Sequence, residues 1–136
     1  MKWRPSIHMP REAARIFLRV TDVKAQRVQD ITEEEARKEG VKKMYPYTNP
    51  ETGETVYAYS EDGTYIAGFA CVWNDCYAKP RPVKGKGVIH HYESYPWEDI
   101  QETRIYRGKP WYIVGNPWVW AIEFEQIKTE EALHAT

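Results

Sequence analysis

Residues 30–41 read Asp-Ile-Thr-Glu-Glu-Glu-Ala-Arg-Lys-Glu-Gly-Val and predict a short, well-capped helix directly after a strand-like run. Thr32 is a good N-cap, and Glu35 lies three residues later, so the two side chains can form a capping box. Glutamates fill the first turn, where the helix dipole favours negative charge. Gly40 can adopt the left-handed conformation that ends a helix. We predict a helix at about residues 32–39, which must pack against a neighbour because it is too short to stand alone.

The residues on either side of this helix predict a strand-rich chain. Apolar and polar residues alternate from Arg15 to Thr21, and the alternation slips near Asp22, which predicts one long bent strand or two over residues 14–29. The clearest strand runs from Trp118 to Ile127, with large apolar residues on one side and glutamates on the other. Further predictions are a strand at Thr55–Tyr59, a hairpin from Thr103 to Val114 and a second helix at about residues 64–77.

Composition places these elements in one domain. The chain has 136 residues and 19 aromatic side chains, a density that suits packing on a sheet but also stacking on bases or sugars. We predict an α+β domain over residues 1–127, followed by a loose or weakly helical tail at 128–136.

Charge is spread unevenly along the chain. The net charge is −1, so no global field draws the molecule to nucleic acid, yet residues 1–27 carry seven basic side chains against two acids. Residues 79–87 contain four basic side chains and no acid between prolines and glycines, and we predict a flexible basic loop there. Lys84 and Lys86 of this loop are candidates for phosphate contact, with a solvated loop as the favoured alternative.

Cysteine and histidine spacing predicts neither a metal site nor a cofactor. Cys71 and Cys76 are five residues apart in a predicted helix, so they lie on different faces, and reduced thiols in a cytoplasmic protein are expected. His90 and His91 are adjacent and would point to opposite faces of a strand. No apolar run is long enough to cross a bilayer, so we expect no membrane segment and no leader.

Three segments together resemble ASCH-domain proteins, closest to an uncharacterised type common in phages and prophages. They are Trp3-Arg-Pro-Ser-Ile-His-Met-Pro10, Val23 to Gly40, and Asn116-Pro-Trp-Val-Trp-Ala-Ile-Glu-Phe124. The resemblance implies a PUA-like fold, a small bent β-barrel with helices at its openings that binds nucleic acid or nucleosides. It also implies a phage or prophage protein in the cytoplasm of a bacterial host.

The family's usual N-terminal part is not found in this chain. ASCH proteins usually open with a Gly-x-Lys-Thr-like segment, which this sequence lacks, so the chain resembles the C-terminal portion of a longer protein. An incomplete barrel would leave an open strand edge, and open edges pair with other chains. A homodimer, or a partner chain that completes the barrel, is therefore expected.

One branch of the family consists of amidohydrolases acting on acetylcytidine, and its helix glutamate matches Glu39 of this sequence. A carboxylate at this place could relay a proton to the leaving amine. The lysine and threonine that would supply the nucleophile are absent, so a solvated Glu39 is the favoured alternative.

Basic residues near the start of the chain are the better candidates for contact with RNA or a nucleotide-like ligand, because arginine pairs with phosphate and stacks on rings. These candidates are Arg4, His8, Arg11 and Arg15. We predict a non-catalytic ASCH-like module that binds RNA or a nucleotide-like ligand. The alternatives are an amidohydrolase on modified nucleosides and a phage accessory or assembly protein that docks through an open edge.

Overall fold

The computed structural model describes residues 5–134, which form a mixed α+β fold, as the sequence predicts. Within these residues there are three α-helices: α1 (Glu33–Lys38), α2 (Tyr65–Tyr77) and α3 (Thr129–His134). The same residues contain eight strands: β1 (Phe17–Arg27), β2 (Met44–Thr48), β3 (Thr55–Tyr59), β4 (Arg81–Gly85), β5 (Val88–Ser94), β6 (Gln101–Tyr106), β7 (Lys109–Val114) and β8 (Trp118–Ile127).

The strands form three separate sheets. β1 pairs with β8, β2 pairs with β3, and the largest sheet has the order β4-β5-β7-β6. In this four-stranded sheet β5 and β7 run parallel, whereas the other neighbours are antiparallel. Over residues 5–134 none of the three sheets closes into a barrel, so the PUA-like barrel stays a prediction.

The described residues divide into two compact units. One consists of residues 5–25 and 120–134, and the other of residues 26–119. The tail predicted from residue 128 contains α3, whose Ala132 is buried.

The capping box predicted for α1 is confirmed. Thr32 Oγ1 accepts a hydrogen bond of 3.1 Å from the backbone N–H of Glu35, and the Glu35 carboxylate accepts one of 3.0 Å from the N–H of Thr32. Gly40 follows the helix with a φ of +82°, the left-handed conformation expected of it. Ala36 is completely buried, and α1 packs on α2. The short helix is therefore held by its neighbour, as its length requires.

α2 fits the second helix predicted at about residues 64–77. Thr64 is its N-cap and accepts a hydrogen bond of 3.0 Å from the N–H of Ala67. The most buried positions are the small residues Ala67, Gly68 and Ala70, rather than the aromatic residues of the same helix. Small residues are needed here because the backbone around Lys42 approaches this side of the helix closely.

Strand predictions agree with the structure at β3, at β8 and in the β6–β7 hairpin. The prediction of a flexible loop at residues 79–87 is wrong, because Arg81–Gly85 form β4 and pair with β5. Pro82 disfavours a strand at these residues, because proline has no backbone N–H to donate to a neighbouring strand. It is tolerated because β4 is at the edge of the sheet, where one side of the backbone has no partner strand.

Candidate functional site

The four strands of the larger sheet place one side chain each in a row across one face. Arg81 of β4 is opposite Glu93 of β5, Glu93 is opposite Tyr112 of β7, and Tyr112 is opposite Thr103 of β6. Residues that oppose each other on neighbouring strands project from the same face of a sheet. We call these four residues the Tyr112 row.

Glu93 is the polar centre of this row. Its carboxylate accepts a hydrogen bond of 2.6 Å from the Tyr95 hydroxyl and is 2.9 Å from Nε2 of His91, two residues away on either side along the strand. The hydrogen bond from Tyr95, followed by that from His91, holds the pKa of Glu93 below its usual range. The same contact raises the pKa of Tyr95. Glu93 is therefore ionised near neutral pH and is a poor proton acceptor there. Its carboxylate also holds the rings of His91 and Tyr95 in place.

Tyr112 presents a partly open ring beside this carboxylate. The edge of the His91 ring packs against it with the two centroids 5.3 Å apart, and 42% of Tyr112 stays exposed. A shallow cavity of about 280 Å³ adjoins the tyrosine. Its lining residues are Gln101, Glu102, Thr103, Tyr112, Ile113 and Val114. An open aromatic ring flanked by amide and hydroxyl groups can stack on a flat ligand and offer it hydrogen bonds.

The β4–β5 hairpin adds positive charge at the edge of this sheet. Residues 79–91 contain four lysine or arginine side chains, two histidines and no acid. Lys86 is in the tight turn with a φ of +53°, and both Lys84 and Lys86 are exposed. Within the described part of the chain, neither lysine makes an ion pair. The hairpin therefore offers two unneutralised cations from a fixed backbone.

Arg81 connects this basic hairpin to the Tyr112 row. Its guanidinium donates a hydrogen bond of 2.5 Å to the carbonyl of Cys76 and lies 5.2 Å from the ring centre of Tyr77. Tyr77 in turn accepts a backbone hydrogen bond of 2.8 Å from Tyr95. The end of α2 thus orients the guanidinium of Arg81, whose backbone is opposite Glu93 in the β4–β5 strand pair.

The other basic candidates from the sequence lie elsewhere. Arg4 is outside the described residues. His8 and Arg15 are exposed in the unit formed by residues 5–25 and 120–134, and Arg11 of the same unit donates a hydrogen bond to the carbonyl of Ala132. Lys84 and Lys86 belong to the unit of residues 26–119. Of the sequence candidates, only these two lysines lie in the strand pair that carries the Tyr112 row.

Glu39 lies at the exposed C-terminal end of α1, where its backbone caps the helix. Lys42 and Lys43, the next two lysines along the chain, lie over tyrosine rings, Lys42 at 5.3 Å from the ring centre of Tyr59 and Lys43 at 5.4 Å from that of Tyr65. Within residues 5–134 the Glu39 carboxylate makes no ion pair.

A second cavity, of about 370 Å³, lies between α2 and the β2–β3 hairpin. Tyr57 lines it, and burial, followed by the charges of Glu98 and Cys71, raises the pKa of this phenol. Burial and the nearby Asp75 likewise raise the pKa of the Cys71 thiol. A thiol held in its protonated form is a weak nucleophile, so this part of the molecule is better suited to binding than to covalent chemistry.

Exposed tyrosines also occur on the β2–β3 hairpin, at Tyr45 and Tyr47. Residues 49–62 of the adjoining loops carry four acids and no basic residue. These acids disfavour phosphate at the loops of this hairpin, whereas Lys42 lies 5.3 Å from the ring centre of Tyr59 on β3. Exposed tyrosines with basic side chains nearby therefore occur both on this hairpin and at the Tyr112 row.

Sequence reasoning missed the cluster of His91, Glu93, Tyr95 and Tyr112. The alternation of His, Glu and Tyr at positions 91, 93 and 95 was a usable signal for one face of a strand. No comparable signal marked Tyr112, because it pairs with Glu93 only through the parallel strands β5 and β7, which bring together residues 19 positions apart in the chain. No group of three or more metal-ligating side chains occurs among the described residues.

Comparison with protein-family models, curated proteins and solved structures finds no match for this chain. Over residues 5–134, every helix falls short of the length and apolar character that crossing a bilayer requires.

Proposed function

We propose that the chain is a non-catalytic module that binds single-stranded RNA across the Tyr112 row and the β4–β5 hairpin. The observation that carries the proposal is the acid-free basic segment at residues 79–91, whose hairpin pairs through β5 with the aromatic and hydrogen-bonding side chains of β7. Proteins that bind single strands combine these two features, a cationic path for the phosphates and rings on which bases stack.

The cations supply attraction that does not depend on sequence. Lys84 and Lys86 are exposed and lack ion-pair partners in the described chain, so phosphate can replace water around them at little cost. Each phosphate neutralised by a lysine releases a counterion, and binding therefore weakens as salt is added.

Tyr112 supplies the stacking surface. Its ring packs against His91, which Glu93 holds in turn, so a base that stacks on Tyr112 orders few additional side chains. Stacking of one base on one aromatic ring contributes about 1–3 kcal/mol. Gln101 and Thr103 beside the ring can hydrogen-bond to base edges.

Binding without turnover is favoured by the state of the reactive groups. The lowered pKa makes Glu93 a weak base, and the raised pKa keeps the Cys71 thiol protonated and therefore a weak nucleophile. The exposed Glu39 has no neighbouring nucleophile, so no observation favours the amidohydrolase alternative.

We also propose an ASCH-like barrel fold, a phage or prophage origin and a location in the bacterial cytoplasm. These three points rest on the sequence resemblance described above. RNA or a nucleotide-like ligand is the expected partner of such a module, and the Tyr112 row with its basic flank supports that ligand class on separate grounds.

The test is a fluorescence-anisotropy titration of a labelled single-stranded oligoribonucleotide of mixed sequence at several salt concentrations. The double variant Lys84→Gln with Lys86→Gln should bind more weakly than the wild type. The slope of log affinity against log salt should become shallower by about 1.4 in magnitude, because single strands contribute about 0.7 per phosphate contact.

The matched control is the double variant Lys38→Gln with Lys128→Gln, which removes two exposed lysines outside the hairpin. It should bind as the wild type does. Absence of binding at low salt, or an equal loss in both double variants, would contradict the proposal.

A further inference from the structure

One face of the β1–β8 sheet is turned away from α3. In the unit of residues 5–25 and 120–134, Arg19 of β1 donates a hydrogen bond of 3.1 Å to Glu125 of β8 and another to Glu131 of α3. These contacts place Arg19 and Glu125 on the face toward α3. Because side chains alternate along a strand, their neighbours Leu18, Val20 and Phe124 project from the opposite face.

This opposite face is almost entirely apolar and uncovered. Each of its six large side chains is more than half exposed, with Trp120 the most exposed at 72%. Together they leave roughly 700 Å² of apolar surface open to solvent, above the ~300–600 Å² of the largest patch on a typical monomer. We call it the open face, and its residues are Ile16, Leu18, Val20, Trp120, Ile122 and Phe124.

The covered face of the same sheet carries fewer apolar side chains. Phe17, Ala121 and Ile127 are half-buried there, and Ala132 of α3 has an exposure of only 1%. Most of the large apolar residues thus lie on the side without a covering layer. A two-stranded sheet is at best marginally stable by itself, so a second layer over the open face would strengthen it.

We propose that two copies of this chain pack through their open faces, each sheet covering the other. The apolar area is close to the roughly 800 Å² that each partner contributes to a standard protein interface. The six side chains of the face carry a single polar group, the indole N–H of Trp120, so an equally apolar surface suits the face best. A second copy supplies that surface, and a twofold axis brings the same six side chains together from both sides.

Charge favours a protein over nucleic acid at this face. Over residues 1–25 and 120–136 the sequence has six acids and seven basic side chains, so the unit is close to neutral and has no strong positive field to hold phosphate. The nearly balanced charge also lets two copies meet without strong repulsion. The acids are Glu12, Asp22, Glu123, Glu125, Glu130 and Glu131, and the basic residues are Lys2, Arg4, Arg11, Arg15, Arg19, Lys24 and Lys128.

The experiment measures the mass of the full chain by sedimentation equilibrium over a range of micromolar concentrations. The wild type should approach twice its 16.0 kDa chain mass as the concentration rises. Ile122→Lys places a charge on the open face and should raise the dimer dissociation constant at least tenfold, as expected at the centre of an apolar interface.

The control is Glu123→Lys, the next residue along β8, which introduces the same side chain on the covered face. It should leave the dissociation constant within about twofold of the wild type, since its side chain projects away from the proposed interface. Circular dichroism of both variants verifies that they are folded. A wild-type protein that stays monomeric overturns the proposal, and so does an Ile122→Lys variant that is folded and still dimeric.

RNA binding is followed in parallel to keep this proposal separate from the proposed function. Ile122→Lys should retain the oligoribonucleotide affinity of the β4–β5 hairpin. If the wild type is monomeric and Ile122→Lys abolishes RNA binding, the open face binds nucleic acid instead. That pair of results would overturn the dimer.

Discussion

The carboxylate of Glu33 in α1 accepts a hydrogen bond of 2.7 Å from the backbone N–H of Ile66 in α2. Its second oxygen accepts another, of 3.1 Å, from the N–H of Tyr65. A side chain in the first turn of one helix therefore caps the first turn of the next, where free N–H groups and the helix dipole favour a negative charge. Within the acidic stretch at residues 33–35, Glu33 therefore caps a second helix, a role that its position in α1 alone does not reveal.

Replacing Glu33 should weaken the connection between the two helices. Glu33→Ala leaves two N–H groups of α2 without this acceptor, and we expect the free energy of unfolding to fall by about 1–2 kcal/mol. Urea denaturation followed by circular dichroism measures the change. Glu34→Ala, which removes the neighbouring exposed carboxylate and its pair with Arg37, is the control and should have a much smaller effect.

Gly68 should not tolerate even one added carbon. In an exposed helix Gly→Ala usually stabilises by about 1 kcal/mol. At Gly68, however, a Cβ would lie 1.9 Å from the backbone carbonyl oxygen of Lys42. We expect Gly68→Ala to destabilise the protein by about 1–3 kcal/mol, because α2 must move away from residue 42. Thermal unfolding tests this, with Val72→Ala on an exposed part of the same helix as control. A gain in stability at Gly68 would show that the close approach is absent.

Tyr112 should act on RNA through its ring rather than its hydroxyl. Tyr112→Ala removes the stacking surface, and we expect affinity for the single-stranded oligoribonucleotide to fall about tenfold, whereas Tyr112→Phe should retain it. Anisotropy titrations measure both. Tyr47→Ala removes another exposed tyrosine, on β2, and serves as the comparison. Equal losses at Tyr47 and Tyr112 would remove the special role of Tyr112.

The hydrogen bond from Tyr95 should be visible in the titration of Glu93. The folded protein lowers the pKa of Glu93 below 4.5, so the ionised form contributes stability that is fully present above pH 4.5 and lost as pH falls through the folded pKa. Tyr95→Phe removes the larger of the two causes. We expect the pKa of Glu93 to rise toward 4.5 and the stability to depend less on pH in the acid range.

Carbon-13 NMR of the glutamate carboxyl groups measures this pKa directly, and urea unfolding at several acid pH values measures the stability. Tyr106→Phe is the control, because this ring packs against Tyr92 and Trp111. An unchanged Glu93 titration in Tyr95→Phe would mean that the phenol does not control the carboxylate.

Local sequence signals were sufficient to predict those helices and strands that depend on interactions between residues a few positions apart. The capping box of Thr32 and Glu35, the closing conformation of Gly40 and the strand from Trp118 to Ile127 all follow from neighbours along the chain. β4 was missed because its proline suggests a loop until it is known to be at an edge. The candidate site was only partly predictable: Lys84 and Lys86 could be named from composition, whereas their aromatic neighbours could not.

The sequence by itself determined α1 with its capping box, α2, and the strands β3, β6, β7 and β8. The tertiary structure alone decided that Glu33 caps α2, that Tyr112 lies beside Glu93 and that the apolar side of β8 is open. The physical reason is the range of the interactions. Caps and alternation involve residues a few positions apart, whereas strand order and the covering of a sheet face depend on segments that are distant in the chain and become neighbours only on folding.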